Sequence, residues 1–232
     1  MKNSLRYPHL LRSDVLKGLP DDTKLRLLDD CIMRSLDQIA PILVQGEPVN
    51  GMYLVAHGCV EITGINTEGQ TVLIHLSRQG EVFGDVEAIG EKPAAANCTA
   101  MANSVVLFYP KQLLIGSMQC VTFMRNILAM SHDRLVRDNR VKFVDQFYPV
   151  DQRLCDYLHR LSADRPEISK TQADLAGLLG CARQTLNREL GRLRDQNIIQ
   201  MEKGKIRVID RNALYAQATK GDAIYQIRKS IA

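Results

Sequence analysis

Short apolar runs separated by glycines fill the stretch from residue 39 to residue 108. Runs such as MYLVAHGCVEITGI and TVLIHLSRQGEVFGD combine β-branched residues with closely spaced turn residues. Several short strands at such spacing are typical of an antiparallel barrel or jelly roll. The pattern therefore predicts a β-roll in the first half of the chain.

Apolar residues at helical spacing precede and follow this β-roll. Residues 11–36 predict short helices, with one apolar stripe formed by Leu25, Leu28, Ile32 and Met33. Residues 112–146 hold the longest helical pattern, which no proline interrupts. Its a and d positions, flanked by Ile127 and Met130, are Met124, Leu128, Ser131 and Leu135. Such a seam fits either the chain's own β-roll or a second copy of the chain.

Two short helices joined by a tight turn are predicted after Thr171. The hydroxyl of Thr171 can cap the first helix, and Asp174 in its first turn completes a capping-box arrangement. Gly180 can adopt the positive φ that ends a helix. The second helix has an apolar stripe at i, i+4 and i+7, formed by Leu186, Leu190 and Leu193. So short a connection is typical of a helix-turn-helix.

The second helix carries polar side chains on the face opposite its leucines. With about 100° between residues, this face holds Arg183, Gln184, Asn187 and Arg188. In a DNA major groove arginine pairs with guanine, and glutamine and asparagine pair with adenine. A solvated polar face is the alternative for an isolated amphipathic helix, but the tight turn and the hairpin that follows favour DNA binding.

That hairpin is predicted by two isoleucine-rich runs around a lysine-glycine-lysine turn. The runs are Ile198–Ile199 and Ile206–Ile209, and Lys203 and Lys205 at the tip would contact phosphates, as in the wing of a winged helix. Charge supports this interpretation. Residues 151–232 carry 15 Lys and Arg against 10 Asp and Glu, whereas residues 1–150 carry 15 against 16. The basic part of the chain therefore coincides with the predicted DNA-binding module.

Other classes of protein find little support in the sequence. The six cysteines form no C-x-x-C pair, so neither a zinc site nor a disulfide framework is predicted. His57 and His75 stand alone, whereas a metal-dependent cupin enzyme, also a β-roll, needs clustered His and Glu ligands. No stretch approaches the ~20 apolar residues of a membrane span, and the N-terminus has no signal-type apolar region. We expect a cytoplasmic protein that is not an enzyme, with no metal and no evident cofactor.

The segment GCARQTLNRELGRLRDQNII resembles the DNA-binding helix and the start of the wing in the bacterial cyclic AMP receptor protein and fumarate–nitrate regulator (CRP/FNR) superfamily. The resemblance implies base contacts by Arg183, Gln184 and Arg188, and a DNA-backbone contact by Thr171. Many members carry glutamate where this chain has Gln184. Since a carboxylate accepts from cytosine and an amide pairs with adenine, the half-site is expected to differ from the family's usual one.

The resemblance extends to the β-roll through Gln45-Gly46-Glu47, Gly58-Cys59-Val60 and the run from Gly80 to Asp85, which look like a cyclic-nucleotide-binding domain. It implies an effector pocket that includes Gly84, Asp85, Ala94, Ala95, Asp138 and Asn139. Asp85 replaces a ribose-binding glutamate. Where members that bind cyclic AMP carry an Arg-Ser or Arg-Thr pair for the phosphate, this chain has alanines, and the nearby Lys92 is only a point charge. We therefore expect a small-molecule effector other than cyclic AMP, of unknown identity.

Together these patterns predict an α+β chain of three parts. They are a helical lead-in and β-roll sensor domain (1–111), a dimerisation helix with a hinge near 138–145 (112–146), and a winged helix-turn-helix (147–232). The resemblance implies a homodimeric transcription regulator whose partners are two-fold symmetric double-stranded DNA and RNA polymerase, without a membrane. Effector occupancy would bias the orientation of the recognition helices. One alternative is a constitutive DNA binder without effector. Another is a cupin-like β-roll enzyme or a cyclic-nucleotide-regulated protein, and the DNA-facing pair of Arg183 and Arg188 argues against both of these.

Overall fold

The computed structural model describes residues 1–65, 67, 71–163, 166–168, 171–202 and 204–220. The helices are α1 (Asn3–Arg6), α2 (Asp21–Asp29), α3 (Asp85–Gly90), α4 (Lys111–Ser117), α5 (Val121–Phe147), α6 (Val150–Leu161), α7 (Gln172–Leu178), α8 (Arg183–Asp195) and α9 (Arg211–Ala218). The strands are β1 (Ile32–Leu36), β2 (Ala40–Leu43), β3 (Gly51–His57), β4 (Cys59–Ile65), β5 (Thr71–Arg78), β6 (Val82–Phe83), β7 (Asn97–Ala100), β8 (Ser104–Pro110), β9 (Glu167–Ile168), β10 (Ile199–Glu202) and β11 (Lys205–Val208). The chain forms two compact units that divide between Val136 and Arg137.

The first unit contains the predicted β-roll. Two four-stranded sheets have the orders β1-β8-β3-β6 and β2-β7-β4-β5, and every strand pairing in them is antiparallel. Strand β3 is buried from Gly51 through Ala56, because helices α3 and α4 and strand β5 all pack against it. The expectation of an antiparallel jelly roll is confirmed.

The helical stripe expected over residues 11–36 is wrong in its second half. Ile32 and Met33 lie in β1, where they pair with Phe108 and Leu107 of β8. The hydrogen-bonded ladder along β8 determines the structure of this short segment, and apolar spacing alone cannot distinguish a strand from a helix over so few residues. Within α2, Leu27 and Leu28 are buried, while Leu25 is exposed.

The helix expected over residues 112–146 is two helices. Helix α4 ends at Ser117, whose Oγ lies 2.9 Å from the hydroxyl of Tyr109, and α5 begins at Val121. Residues 138–145, where a hinge was expected, lie within the continuous α5. Within the first unit, Asn126 Nδ2 ties α5 to the N-terminal segment by donating to the carbonyl oxygens of Val15 (3.1 Å) and Lys17 (2.8 Å).

Helix α5 has two apolar stripes. Phe123 and Ile127 are buried in the core of the β-roll, with Met130 partly buried beside them. The three apolar residues at the predicted a and d positions are exposed instead, 37 % for Met124, 61 % for Leu128 and 58 % for Leu135, while Ser131 is partly buried. The heptad pattern therefore marks a face that the β-roll leaves uncovered.

The second unit contains the helix-turn-helix and a small sheet. Leu186, Leu190 and Leu193 of α8 are fully buried with leucines of α6 and α7, as their spacing predicts. The predicted hairpin is present as β10 and β11, paired antiparallel from Ile199↔Val208 to Glu202↔Lys205. A third strand, β9, joins β11 through Ile206↔Ile168 and was not predicted.

Among the residues that the structure describes, no single helix is long and apolar enough to cross a membrane.

Candidate nucleic-acid interface and effector pocket

A tight turn positions the N-terminus of α8 beside α7. Gly180 has a φ of +57°, the left-handed conformation predicted for it, and Cys181 N donates to the carbonyl oxygen of Ala176 over 3.0 Å. Ala182 is extended, so α8 begins at Arg183. The turn thus exposes the first residues of α8 while its leucines stay in the core.

The four predicted base-reading residues, Arg183, Gln184, Asn187 and Arg188, are all exposed on the first two turns of α8. On the opposite face Leu186 and Leu190 have no exposed surface. The helix is therefore seated so that two arginines and two amides face outward, where side chains of these types can reach the base edges of a major groove.

A cleft of about 330 Å³ lies between the N-terminus of α8 and the hairpin. Thr171, Arg183 and Lys205 line it, together with Glu202. Lys205 Nζ lies 3.9 Å from Glu167 Oε2 and the lysine is half exposed. The structure therefore brings together three of the predicted DNA contacts. Lys203 and the side chain of Asp174 lie outside the described residues, so the predicted capping box stays a prediction.

Arg188 is engaged by a carboxylate that the sequence analysis did not consider. Arg188 Nε donates to Glu189 Oε1 over 3.1 Å, and Arg192 Nε donates to Glu189 Oε2, also over 3.1 Å. Glu189 is only 9 % exposed. The sequence contains a signal for Glu189. It follows Leu186 by three residues, which places a charged residue at the edge of the buried leucine stripe.

In the β-roll, Gly84 adopts the left-handed backbone conformation directly before α3. Its φ is +75°, and a Cβ at this position would lie 3.1 Å from the carbonyl oxygen of Gly51 and 3.2 Å from Leu43 Cδ1. Both the backbone conformation and the close packing require glycine. This turn leads directly into α3, whose first residue is Asp85.

Asp85 is fully buried, and Arg134 of α5 binds both of its carboxylate oxygens. Nη1 donates to Oδ1 over 2.8 Å and Nη2 donates to Oδ2 over 2.5 Å. Although burial alone would lower the pKa of Arg134, the hydrogen bonds and charge of Asp85 raise it above its ordinary value. The sequence analysis did not predict a role for Arg134. Its position was a signal, because it follows Phe123, Ile127 and Met130 by 11, 7 and 4 residues and so continues the stripe of α5 that packs on the β-roll.

The alanines at 94 and 95, where the sequence resemblance implies a phosphate contact, carry no charge. Ala94 is buried, its N–H donates to Glu47 O (2.9 Å), and its carbonyl accepts from Gly46 N (2.8 Å). Ala95 is exposed. Asp138 and Asn139 lie in the second unit, where Asp138 Oδ1 accepts from Arg137 Nε over 3.4 Å. Of the predicted pocket, the first unit therefore holds Gly84, Asp85, Ala94 and Ala95.

The other candidate groups for chemistry include three buried thiols and one histidine–carboxylate pair. Burial raises the pKa of the Cys31, Cys98 and Cys155 thiols to about 12, so they stay protonated at neutral pH. His75 Nε2 lies 2.6 Å from Glu81 Oε2. Over the part of the chain that the structure describes, no three His, Cys, Asp or Glu side chains are grouped as metal ligands would be.

Comparison with known proteins extends these observations. Residues 33–119 match the cyclic nucleotide-binding domain family, and residues 152–217 match the Crp-like helix-turn-helix domain family. The chain is 24 % identical to the cyclic AMP receptor protein of Thermus thermophilus, over 75 % of this chain and 82 % of that one.

Solved structures share the fold at lower identity. A transcriptional regulator of the CRP/FNR family from Thermus thermophilus superposes with a TM-score of 0.66 at 21 % identity, covering 82 % of this chain and 99 % of that one. The c-di-GMP-responsive global regulator CLP of Xanthomonas campestris gives 0.67 at 18 %, covering 82 % and 100 %. With a cyclic nucleotide-binding domain followed by a Crp-like helix-turn-helix, the chain belongs to the CRP/FNR superfamily of transcription regulators.

Proposed function

We propose that this protein is a cytoplasmic, homodimeric regulator that binds a two-fold symmetric DNA site through α8 and contacts RNA polymerase there. The observation that carries the proposal is the exposed face of α8, where Arg183, Gln184, Asn187 and Arg188 project from a helix whose opposite side is buried. The cleft lined by Thr171 and Lys205 supports phosphate contacts beside it. The excess of basic residues after residue 150 adds the electrostatic attraction that such binding requires.

The uncovered stripe of α5 supports the dimer. Met124, Leu128 and Leu135 recur at heptad spacing and are 37 %, 61 % and 58 % exposed. Apolar side chains in such a row are stabilised when a second helix covers them. A helix-turn-helix protein gains from pairing, because two recognition helices then reach two half-sites one helical turn apart.

For the β-roll we propose a sensor role in which an effector other than cyclic AMP shifts the population of DNA-binding conformations. The alanines at 94 and 95 offer a cyclic phosphate no positive charge. Asp85, at the position of the ribose-binding carboxylate, already accepts both hydrogen bonds of Arg134. Cyclic AMP would therefore find no arginine for its phosphate. The carboxylate of Asp85, which would bind its ribose, is already paired with Arg134.

A second candidate is a regulator that binds DNA without any effector. The Arg134–Asp85 pair favours it, because an arginine of the chain itself satisfies the buried carboxylate and joins α3 to α5. Either candidate makes the same use of α8, and they differ only in what occupies the β-roll.

Selection of binding sites from a pool of random duplexes tests the proposal. The purified full-length protein should enrich one two-fold symmetric sequence, and its affinity for that sequence should fall steeply as salt is raised. Repeating the selection with and without a metabolite extract separates the effector-dependent candidate from the constitutive one. Enrichment of no sequence under either condition would contradict the proposed function.

A further inference from the structure

We propose that Glu189 is a positioning residue for sequence reading: its buried carboxylate holds the Nε–Nη2 edge of the Arg188 guanidinium so that the Nη1–Nη2 end faces a base. The inference rests on the proposed function, because Arg188 can read a base only if α8 lies in the major groove. Glu189 acts through Arg188 and needs no contact of its own with DNA.

The contacts of Arg188 occupy one side of its planar guanidinium. Nε donates to Glu189 Oε1 over 3.1 Å, and Nη2 lies 3.1 Å from the same oxygen. One hydrogen of Nη1 and the outer hydrogen of Nη2 point in parallel from another side, the end of the group. Two parallel donors on that side are what a bidentate contact with O6 and N7 of guanine requires. The Arg188 side chain is 75 % exposed, so this side is accessible.

The carboxylate is itself fixed by the body of the domain. Glu189 Oε2 accepts from Arg192 Nε over 3.1 Å, and Arg192 Nη2 lies 3.7 Å from Asp151 Oδ2 on α6. Glu189 is 9 % exposed and has little room to move. A long arginine side chain samples many rotamers when it is unrestrained, and ordering it beforehand removes part of the entropic cost of binding. These contacts connect the carboxylate that holds Arg188 to Arg192 and, through it, to α6.

Affinity alone does not explain a carboxylate at this position. A negative charge beside a DNA-facing surface weakens the attraction for phosphates, and a buried charge is favourable only when it is well paired. Neighbouring residues on a helix also point in different directions. The Arg188 guanidinium nevertheless contacts the carboxylate of the next residue, Glu189. All three features are explained if the carboxylate orients Arg188. It then lowers the affinity for DNA in general and raises the discrimination between sequences.

The test compares the wild-type protein with Glu189→Gln and Asp195→Asn. After site selection, each protein is titrated with the selected duplex, with a duplex changed at the base pair read by Arg188, and with unrelated DNA. Glu189→Gln removes the charge and keeps the shape. We expect roughly a tenfold loss of discrimination at that base pair, with binding to unrelated DNA unchanged or tighter.

Asp195→Asn is the matched control. Asp195 also pairs with its preceding arginine, since Arg194 Nε donates to Asp195 Oδ1 over 3.0 Å, but the pair lies at the C-terminal end of α8. This variant removes the same charge and should keep the wild-type discrimination. Glu189→Met, which retains the side-chain volume without an acceptor, should lose discrimination as Glu189→Gln does, and thermal unfolding confirms that each variant is folded.

The outcomes separate the inference from the function on which it rests. If the wild-type protein selects a site and folded Glu189 variants discriminate equally well, Glu189 does not position Arg188. Equal weakening on all three duplexes would make Glu189 a structural residue only and would also overturn the inference. If the wild-type protein prefers no sequence, the proposed function fails together with the inference.

Discussion

Arg134 on α5 binds both carboxylate oxygens of Asp85 on α3, and Asp85 has no exposed surface. The pair joins the β-roll to the first half of α5. A buried carboxylate is tolerated only because this two-pronged contact satisfies it, and removal of one partner would leave an uncompensated charge.

Arg134→Leu should therefore destabilise the first unit by about 3–5 kcal/mol, measured by urea unfolding followed by circular dichroism. Adding Asp85→Asn to the Arg134→Leu variant should restore part of the lost free energy of unfolding, since the amide carries no charge. Arg125→Leu is the control, because Arg125 is an exposed arginine on the same helix; its effect should stay within about 0.5 kcal/mol. Equal effects of Arg134→Leu and Arg125→Leu would show that the pair adds no stability.

The helix-turn-helix was predictable from sequence because local signals determine it. A positive-φ glycine at 180, a leucine stripe at i, i+4 and i+7, and two isoleucine runs around a turn each act within a few residues. The structure has all three, from Gly180 to Val208. The third strand, β9, was not predicted, because a strand of two residues has no periodic pattern in the sequence.

Long-range pairing explains what the sequence did not predict. Ile32 continues an apolar spacing that suits a helix, yet it lies in a strand because β8 offers a hydrogen-bonding edge far along the chain. Arg134 lies 49 residues from Asp85, so no local pattern links them. An arginine on an otherwise apolar helical stripe is the sequence signal for such a pair, because the charge can be buried only with a partner.

Arg188→Ala should cost about 1–3 kcal/mol of binding free energy on the selected site and relax the preference at one base pair. The physical reason is the loss of a bidentate contact with guanine. Arg194→Ala is the control, because Arg194 is an arginine on the same helix paired with Asp195 at its far end. Fluorescence anisotropy titration with single-base variants of the site measures both. An unchanged preference in Arg188→Ala would remove this residue from base reading.

Gln184→Glu should change which half-site is selected. The amide can donate to and accept from adenine, whereas the carboxylate only accepts and therefore favours cytosine. Because Gln184 is exposed on the first turn of α8, the exchange should leave the fold intact. Parallel site selections with the two proteins measure the change. The same consensus from both would mean that position 184 does not touch a base.

Replacing Leu128 and Leu135 together by aspartate should convert the proposed dimer to a monomer. Both side chains are exposed in the isolated chain, so the monomer tolerates the charges, whereas a seam of apolar side chains does not. Analytical ultracentrifugation measures the mass. The matched control is Ile39→Asp with Val44→Asp, which alters two exposed apolar residues of the β-roll, 63 % and 49 % exposed, and should remain dimeric. A double α5 variant that still sediments as a dimer would locate the interface elsewhere.

The protein should not bind cyclic AMP tightly, although it has the β-roll of a cyclic nucleotide-binding domain. A buried cyclic phosphate needs its charge met, and hydrogen bonds to charged groups contribute about 1.5–3 kcal/mol each. Ala94 and Ala95 stand where the resemblance implies the phosphate contact. The loss of a two-pronged arginine contact there would remove roughly 3–6 kcal/mol, or about two to four decades of affinity. Lys92 is exposed and offers only a point charge. The arginine nearest to the ribose position, Arg134, is already held by Asp85 and would have to leave a buried partner to reach a phosphate. Calorimetry with cyclic AMP and cyclic GMP should therefore give no binding in the micromolar range, and a dissociation constant of micromolar or tighter for either nucleotide would overturn this argument.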